Sequence, residues 1–147
     1  MMASGSGNPN LQGTAENLKT SSRIQAAIVM AGPLEMLTGS VAERSRSGKG
    51  FSNSNSWLRG TVDEKPRLYR DADAFEQIDK NTCPILFMTG EFDNPARNQR
   101  SRDRLSKLGI ATDIKTYQDG KHGCWNRLPW LDEMVPDMGS FLSQHLQ

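Results

Sequence analysis

The run CPILFMTG, residues 83–90, carries no charged side chain, offers one hydroxyl, and closes on a glycine. A stretch this short cannot span a membrane and is too short for an ordinary helix, so it reads as a strand buried on both faces. A strand of that kind needs neighbours of similar character. Two runs qualify: IQAAIVM, residues 24–30, stopped by AGP, and TDIKTY, residues 112–117, whose alternation suits a strand nearer the sheet edge.

What lies between these runs is long enough to cross back over a sheet. Asn94 and Pro95 suggest a helix cap followed by a first-turn proline. The helix then extends to Leu108, with Asn98, Ser101, Leu105 and Leu108 on one face and Gly109 as its stop. Pro66 to Asp79 reads as partly helical. Leu131, Met134, Val135, Met138, Phe141 and Leu142 recur at helical spacing near the end, and Pro136 should lie in the first turn of that helix or mark a break. The order strand, excursion, strand, helix, strand, loop, helix predicts an α/β fold with three parallel strands and right-handed crossovers.

A chain of 147 residues suffices for one domain and is short for two. The expected organisation is a single unit over 1–147, with a loop-rich lead-in at 1–23, a lid-like excursion at 34–66, and the loops of interest within 83–147. The excursion carries no sustained apolar period, and Phe51, Trp57 and Leu58 are its apolar anchors.

Charge and cysteine content narrow the partners. Eighteen basic and seventeen acidic residues leave a net charge of +1, which gives no electrostatic footprint for nucleic acid or a membrane surface. The basic groups at Arg44, Arg46 and Lys49, and at Arg97, Arg100, Arg102 and Arg104, read first as solvated faces and second as a phosphate-binding site. MMASGSGNPN lacks the basic start and apolar core of a secretion signal, so no targeting segment is legible. Cys83 at the start of one strand and Cys124 beyond the end of its neighbour would stand roughly 15 Å apart at ~3.3 Å per residue, too far to bridge.

In parallel sheets, functional loops gather at the carboxyl ends of the strands. Two loops stand there: GEFDNP, carrying Asp93, and QDGKHGCWN, carrying His122, one of the chain's 2 histidines. Strands about 4.8 Å apart bring these side chains within reach if the loops curl together. A carboxylate on one ring nitrogen then fixes the tautomer and leaves the other free to take a proton. Glycines beside His122 leave its ring room to swing. Glu91 is the alternative acid. His122 with Cys124 and Asp119 offers metal-type donors without a distant fourth, and Cys124 is a conceivable nucleophile beside His122.

The segment PILFMTGEFDNPARNQRSRDRLSKLGIATDIKTYQDGKHGCW resembles the C-terminal part of the α/β-hydrolase fold, in its esterase and acetyl-esterase-like branch. An apolar strand ending in glycine, an acid a few positions on, a helix, an edge strand and a histidine in a glycine-rich turn follow the family's order. SRIQAAIVMAGP resembles the strand after the nucleophile helix. The resemblance implies Asp93 and His122 as the acid and base of a Ser-Asp-His triad acting on a small-molecule ester or acylated carbohydrate, with no cofactor and no metal.

One element of the family is missing. No G-x-S-x-G occurs in the chain, and Ser4 and Ser6 lack glycines at the required offsets. The expectation is therefore a hydrolase begun downstream of its nucleophile and inactive by itself. The alternative is a non-catalytic binding module on the same scaffold, with Trp57, Trp125 and Trp130 lining a recognition surface.

Overall fold

A computed structural model describes residues 2–5, 11, 21, 23–48 and 52–146. Its elements are α1 (Met2–Gly5), β1 (Ala27–Met30), α2 (Gly39–Ser47), α3 (Asn53–Leu58), α4 (Pro66–Ala72), β2 (Ile85–Gly90), α5 (Gln99–Lys107), β3 (Thr112–Tyr117), a 3₁₀ turn at Cys124–Asn126, and α6 (Trp130–His145). Most of the 1–23 lead-in, with Ser6, Lys49 and Phe51, lies outside the described residues. Among those described, no helix is long and apolar enough to cross a membrane.

The three strands are parallel in the order β1-β2-β3, with β2 central and buried along its whole length. Its side chains alternate between two cores, as the pleat requires. Leu86 and Met88 join Tyr117, Cys124 and Met134 on the face covered by α6. Ile85 and Phe87 join Ile78 and Leu105 on the face covered by α5. Each large apolar side chain buried this way contributes about 1.5–3 kcal/mol, so β2 anchors both layers.

Several expectations need correction. β1 begins at Ala27 and is only half-buried, with Met30 38% exposed, because among the described residues only β2 pairs with it. Asn94 and Pro95 do not start α5. Asn94 and Asn98 both have positive φ, 54° and 65°, which interrupts the helix until Gln99. The Asn98 amide instead accepts from Leu34 N at 2.8 Å and donates to Gly32 O at 2.7 Å, stitching the chain after β1 to the start of α5. Ser101 and Leu105 face the core as expected, but Leu108 is exposed.

The C-terminal helix begins at Trp130, so Pro136 lies inside it rather than in its first turn, and the helix continues past it to His145. Met134 is its buried residue, with Met138 and Phe141 packed beside it, whereas Leu131 and Val135 face outward.

The excursion is also more ordered than its composition predicts. Its inner surface is polar: the Ser45 hydroxyl accepts from Val62 N at 2.8 Å and meets Asn55 Oδ1 at 2.6 Å. The Tyr69 phenol joins them, 3.0 Å from Ser45 Oγ and 2.6 Å from Asn55 Oδ1. Hydrogen bonds, which replace the apolar stripe, hold α2, α3 and α4 together. The buried Asp73 carboxylate adds a second clamp, accepting from Met36 N at 2.7 Å and Leu37 N at 2.9 Å.

Tyr117 ends β3 with its phenol donating to Asp137 at 2.8 Å, beside the Lys115–Asp137 ion pair at 3.3 Å. Burial, then the hydrogen bond to Asp137, pushes this phenol above its ordinary value of 10.0. The folded state thus keeps a proton that the unfolded chain releases. The associated stability is complete below about pH 10 and is lost as the pH rises toward the folded value. Urea midpoints at pH 8 and pH 10.5 should therefore fall less for Tyr117→Phe than for the wild type. An equal fall in both would remove Tyr117 as the cause.

Candidate active site

The carboxyl ends of β2 and β3 are locked together by backbone. Glu91 N donates to Tyr117 O at 2.9 Å and Phe92 N to Gly120 O at 2.8 Å. Gly90 and Gly120 touch at this crossing: a Cβ on Gly90 would fall 2.2 Å from Gly120 O, and one on Gly120 would fall 2.8 Å from Gly90 Cα. Gly123, at φ 87°, begins the turn that follows His122. The glycines near His122 thus serve backbone contact and a left-handed turn.

The crossing brings the two sequence-predicted residues together. Asp93 Oδ2 lies 2.8 Å from His122 Nδ1. Asp93 is 7% exposed, held by its own amide on Gly90 O at 3.0 Å and by the Thr89 hydroxyl on its carbonyl at 3.2 Å. The other carboxylate oxygen meets Arg97 Nη2 at 3.4 Å, and Arg97 Nη1 also donates to the carbonyl of Ala31. Arg97, one turn past Asp93, thus fastens the acid to the end of β1. It was grouped with the solvated arginines; the i, i+4 spacing from Asp93 is the signal that could have singled it out.

His122 is 72% exposed on its side chain, and its ring centroid lies 5.0 Å from that of Trp125 at an interplanar angle of 84°. Among the described residues Nε2 has no hydrogen-bond partner. Nδ1 facing a carboxylate while Nε2 stays open is the arrangement of a general base whose tautomer is held.

The remaining sequence candidates stand elsewhere. The Glu91 carboxylate accepts from Asp119 N at 2.9 Å and is exposed. Cys124 is 2% exposed within the α6-side core, and burial, then the charge of Asp93, pushes its thiol up, away from the thiolate a nucleophile requires. Among the described residues no three His, Cys, Asp or Glu side chains gather as metal donors. Both cysteines are free and buried. Trp130 donates its indole N–H to Gln118 O at 2.8 Å and packs against the core.

A cavity of about 550 Å³ opens beside His122. Met30 and Ala31 from the end of β1, Arg44 and Trp57 from the excursion, and Arg97 and Trp125 form its walls. This volume falls within the range that accepts small ligands. Trp57 and Trp125 therefore meet at one cleft although far apart in sequence.

Comparison with known proteins agrees with this architecture. A bifunctional GH43-CE protein from Bacteroides eggerthii superposes with a TM-score of 0.67 at 20% identity, over 88% of this chain and 18% of that one. A truncated carbohydrate esterase from gut microbiota gives 0.67 at 20% identity, over 90% and 47%. Thermogutta terrifontis esterase 2, phosphoramylated by tabun, gives 0.58 at 18% identity, over 92% and 47%. The chain spans about half or less of the length of each of these. No curated protein matches. The BD-FAE family model matches residues 1–108, a span that holds β1, β2, Asp93 and Arg97. With that match over most of its length, the chain belongs to the BD-FAE family, an α/β-hydrolase-type esterase domain.

Proposed function

We propose that this chain supplies the acid and base of a serine esterase, and that residues 1–147 form one part of a larger α/β-hydrolase domain. The observation that carries the proposal is the 2.8 Å contact of Asp93 Oδ2 with His122 Nδ1 at the rim of the cavity. In this reading a serine hydroxyl passes its proton to His122 Nε2 as its oxygen attacks the ester carbonyl carbon. Asp93 favours the charged imidazole that results. Nε2 then protonates the departing alkoxide, leaving an acyl-serine; in the second half the same nitrogen takes a proton from the attacking water and returns it to the serine oxygen as the acid leaves.

The nucleophile belongs to a segment outside this chain, since no G-x-S-x-G occurs within it. The chain by itself is inactive. Its substrate is a small-molecule ester or an acylated carbohydrate, a class supported by the carbohydrate esterase among its structural neighbours.

A second reading, a non-catalytic binding module, draws on Trp57, 65% exposed, and Trp125 at the same cavity. A serine-reactive fluorophosphonate separates the two. The 147-residue chain should take no label. A longer polypeptide carrying this sequence and a G-x-S-x-G strand should be labelled, and lose most labelling as His122→Ala. Label on the short chain, or none on the long one, would refute the esterase reading.

A further inference from the structure

The basic residues of α2 and of the Asp93-to-α5 segment separate once their partners are known. Arg46 pairs with Asp63 at 3.0 Å, Arg97 with Asp93, and Arg100 with Glu35. Arg102 is buried, donating to Arg97 O at 2.8 Å and Pro95 O at 3.1 Å above the ring of Phe87. Arg104 donates to Phe75 O at 3.1 Å. Arg97, Arg102 and Arg104 are clamps of the fold, whereas Arg46 and Arg100 form ion pairs on an exposed face as expected.

Arg44 differs. It lines the cavity, and among the described residues its guanidinium has no carboxylate, carbonyl or aromatic partner. Among the described residues the cavity wall contains no Asp or Glu. Its ionisable members are Arg44, Arg97 and His122, and the charge of Arg97 is matched by Asp93 behind it. Among the described residues, Arg44 is thus a cation without a counter-charge beside a cleft flanked by two indoles.

We propose that this cavity takes an ester bearing a carboxylate, which Arg44 holds through its guanidinium fork while Trp57 and Trp125 flank the remainder. The ester part rests on the esterase reading; the carboxylate part rests on Arg44 and the cavity alone. Arg44 is exposed, and at the cavity wall its planar fork of paired donors matches a carboxylate geometrically. The carboxylate has two chemical sources, a uronate sugar or the free end of a dicarboxylic acid, and both present the same group.

Binding to the 147-residue chain can be read from indole emission without turnover. Two pairs of probes isolate the charge: methyl glucuronide against methyl glucoside, and monomethyl succinate against dimethyl succinate. In at least one pair the charged member should bind about 10-fold more tightly at low salt, less so at high salt. The pair that responds identifies the source. Arg44→Gln should abolish the preference. Arg46→Gln removes the same charge from the same last turn of α2 but does not line the cavity, and should keep it. No preference, no binding of any probe, a preference that survives Arg44→Gln, or an equal loss in Arg46→Gln would each overturn the proposal. None of these results touches the Asp93–His122 relay, which imidazole ¹⁵N signals report separately.

Discussion

Replacing His122 by alanine should lower ester turnover by roughly three to four orders of magnitude in a polypeptide that includes the nucleophile, with almost no change in its urea midpoint. The two halves of this expectation have different causes. The activity falls because Nε2 is the proposed proton acceptor, and a serine hydroxyl near pH 7 is a poor nucleophile without one. The stability holds because the ring is mostly exposed and its one hydrogen bond is to a carboxylate that keeps Arg97 as a second partner. Asp93→Asn should cost nearly as much turnover, since an amide can donate to Nδ1 and favour the wrong tautomer. The ¹⁵N spectrum of the imidazole should show that change even in the inactive 147-residue chain. Turnover within a factor of two of wild type in His122→Ala would dismiss the relay.

Gly90→Ala should be the most destabilising small substitution in the sheet, costing about 3 kcal/mol or more. The new methyl would sit 2.2 Å from the carbonyl oxygen of Gly120 and 2.4 Å from its carbon, and both are backbone atoms that cannot rotate away. The ends of β2 and β3 would have to separate. That strains the Glu91 N–Tyr117 O and Phe92 N–Gly120 O bonds, and with them the Asp93–His122 contact. Gly139→Ala supplies the opposite sign. Gly139 lies in α6 with nothing within 4 Å of an added Cβ, so alanine should stabilise the helix by about 0.5–1 kcal/mol. Denaturation midpoints of the two variants, compared with wild type, check both expectations. A Gly90→Ala protein as stable as wild type would mean that the strands do not cross this closely.

The strands were legible because each carries its own signal. CPILFMTG has nothing to place in water, and TDIKTY alternates, so β2 and β3 followed from local pattern alone. The start of α5 was not, because Asn94 before Pro95 resembles a helix cap in sequence, whereas the fold holds Asn94 and Asn98 at positive φ and starts the helix after Asn98. α2 and α3 were missed for another reason. Their facing surface is built from Ser45 and Asn55, which meet the Tyr69 phenol of α4, and such a face has no hydrophobic period to detect.

The sequence by itself determined a three-stranded parallel sheet with an acid and a histidine on loops past the ends of neighbouring strands. Strand period and strand spacing are local properties, and they suffice for that much. Only the tertiary structure decided that Gly90 and Gly120 would touch, that Arg97 would hold the far side of Asp93, and that Arg44 would line a cleft shared with two tryptophans. Each of these joins residues separated by long stretches of chain or by a turn whose course depends on its surroundings. Such contacts are fixed by the packing of β2 between two layers and by polar bonds across the excursion, neither of which has a periodic trace in the residues that make them.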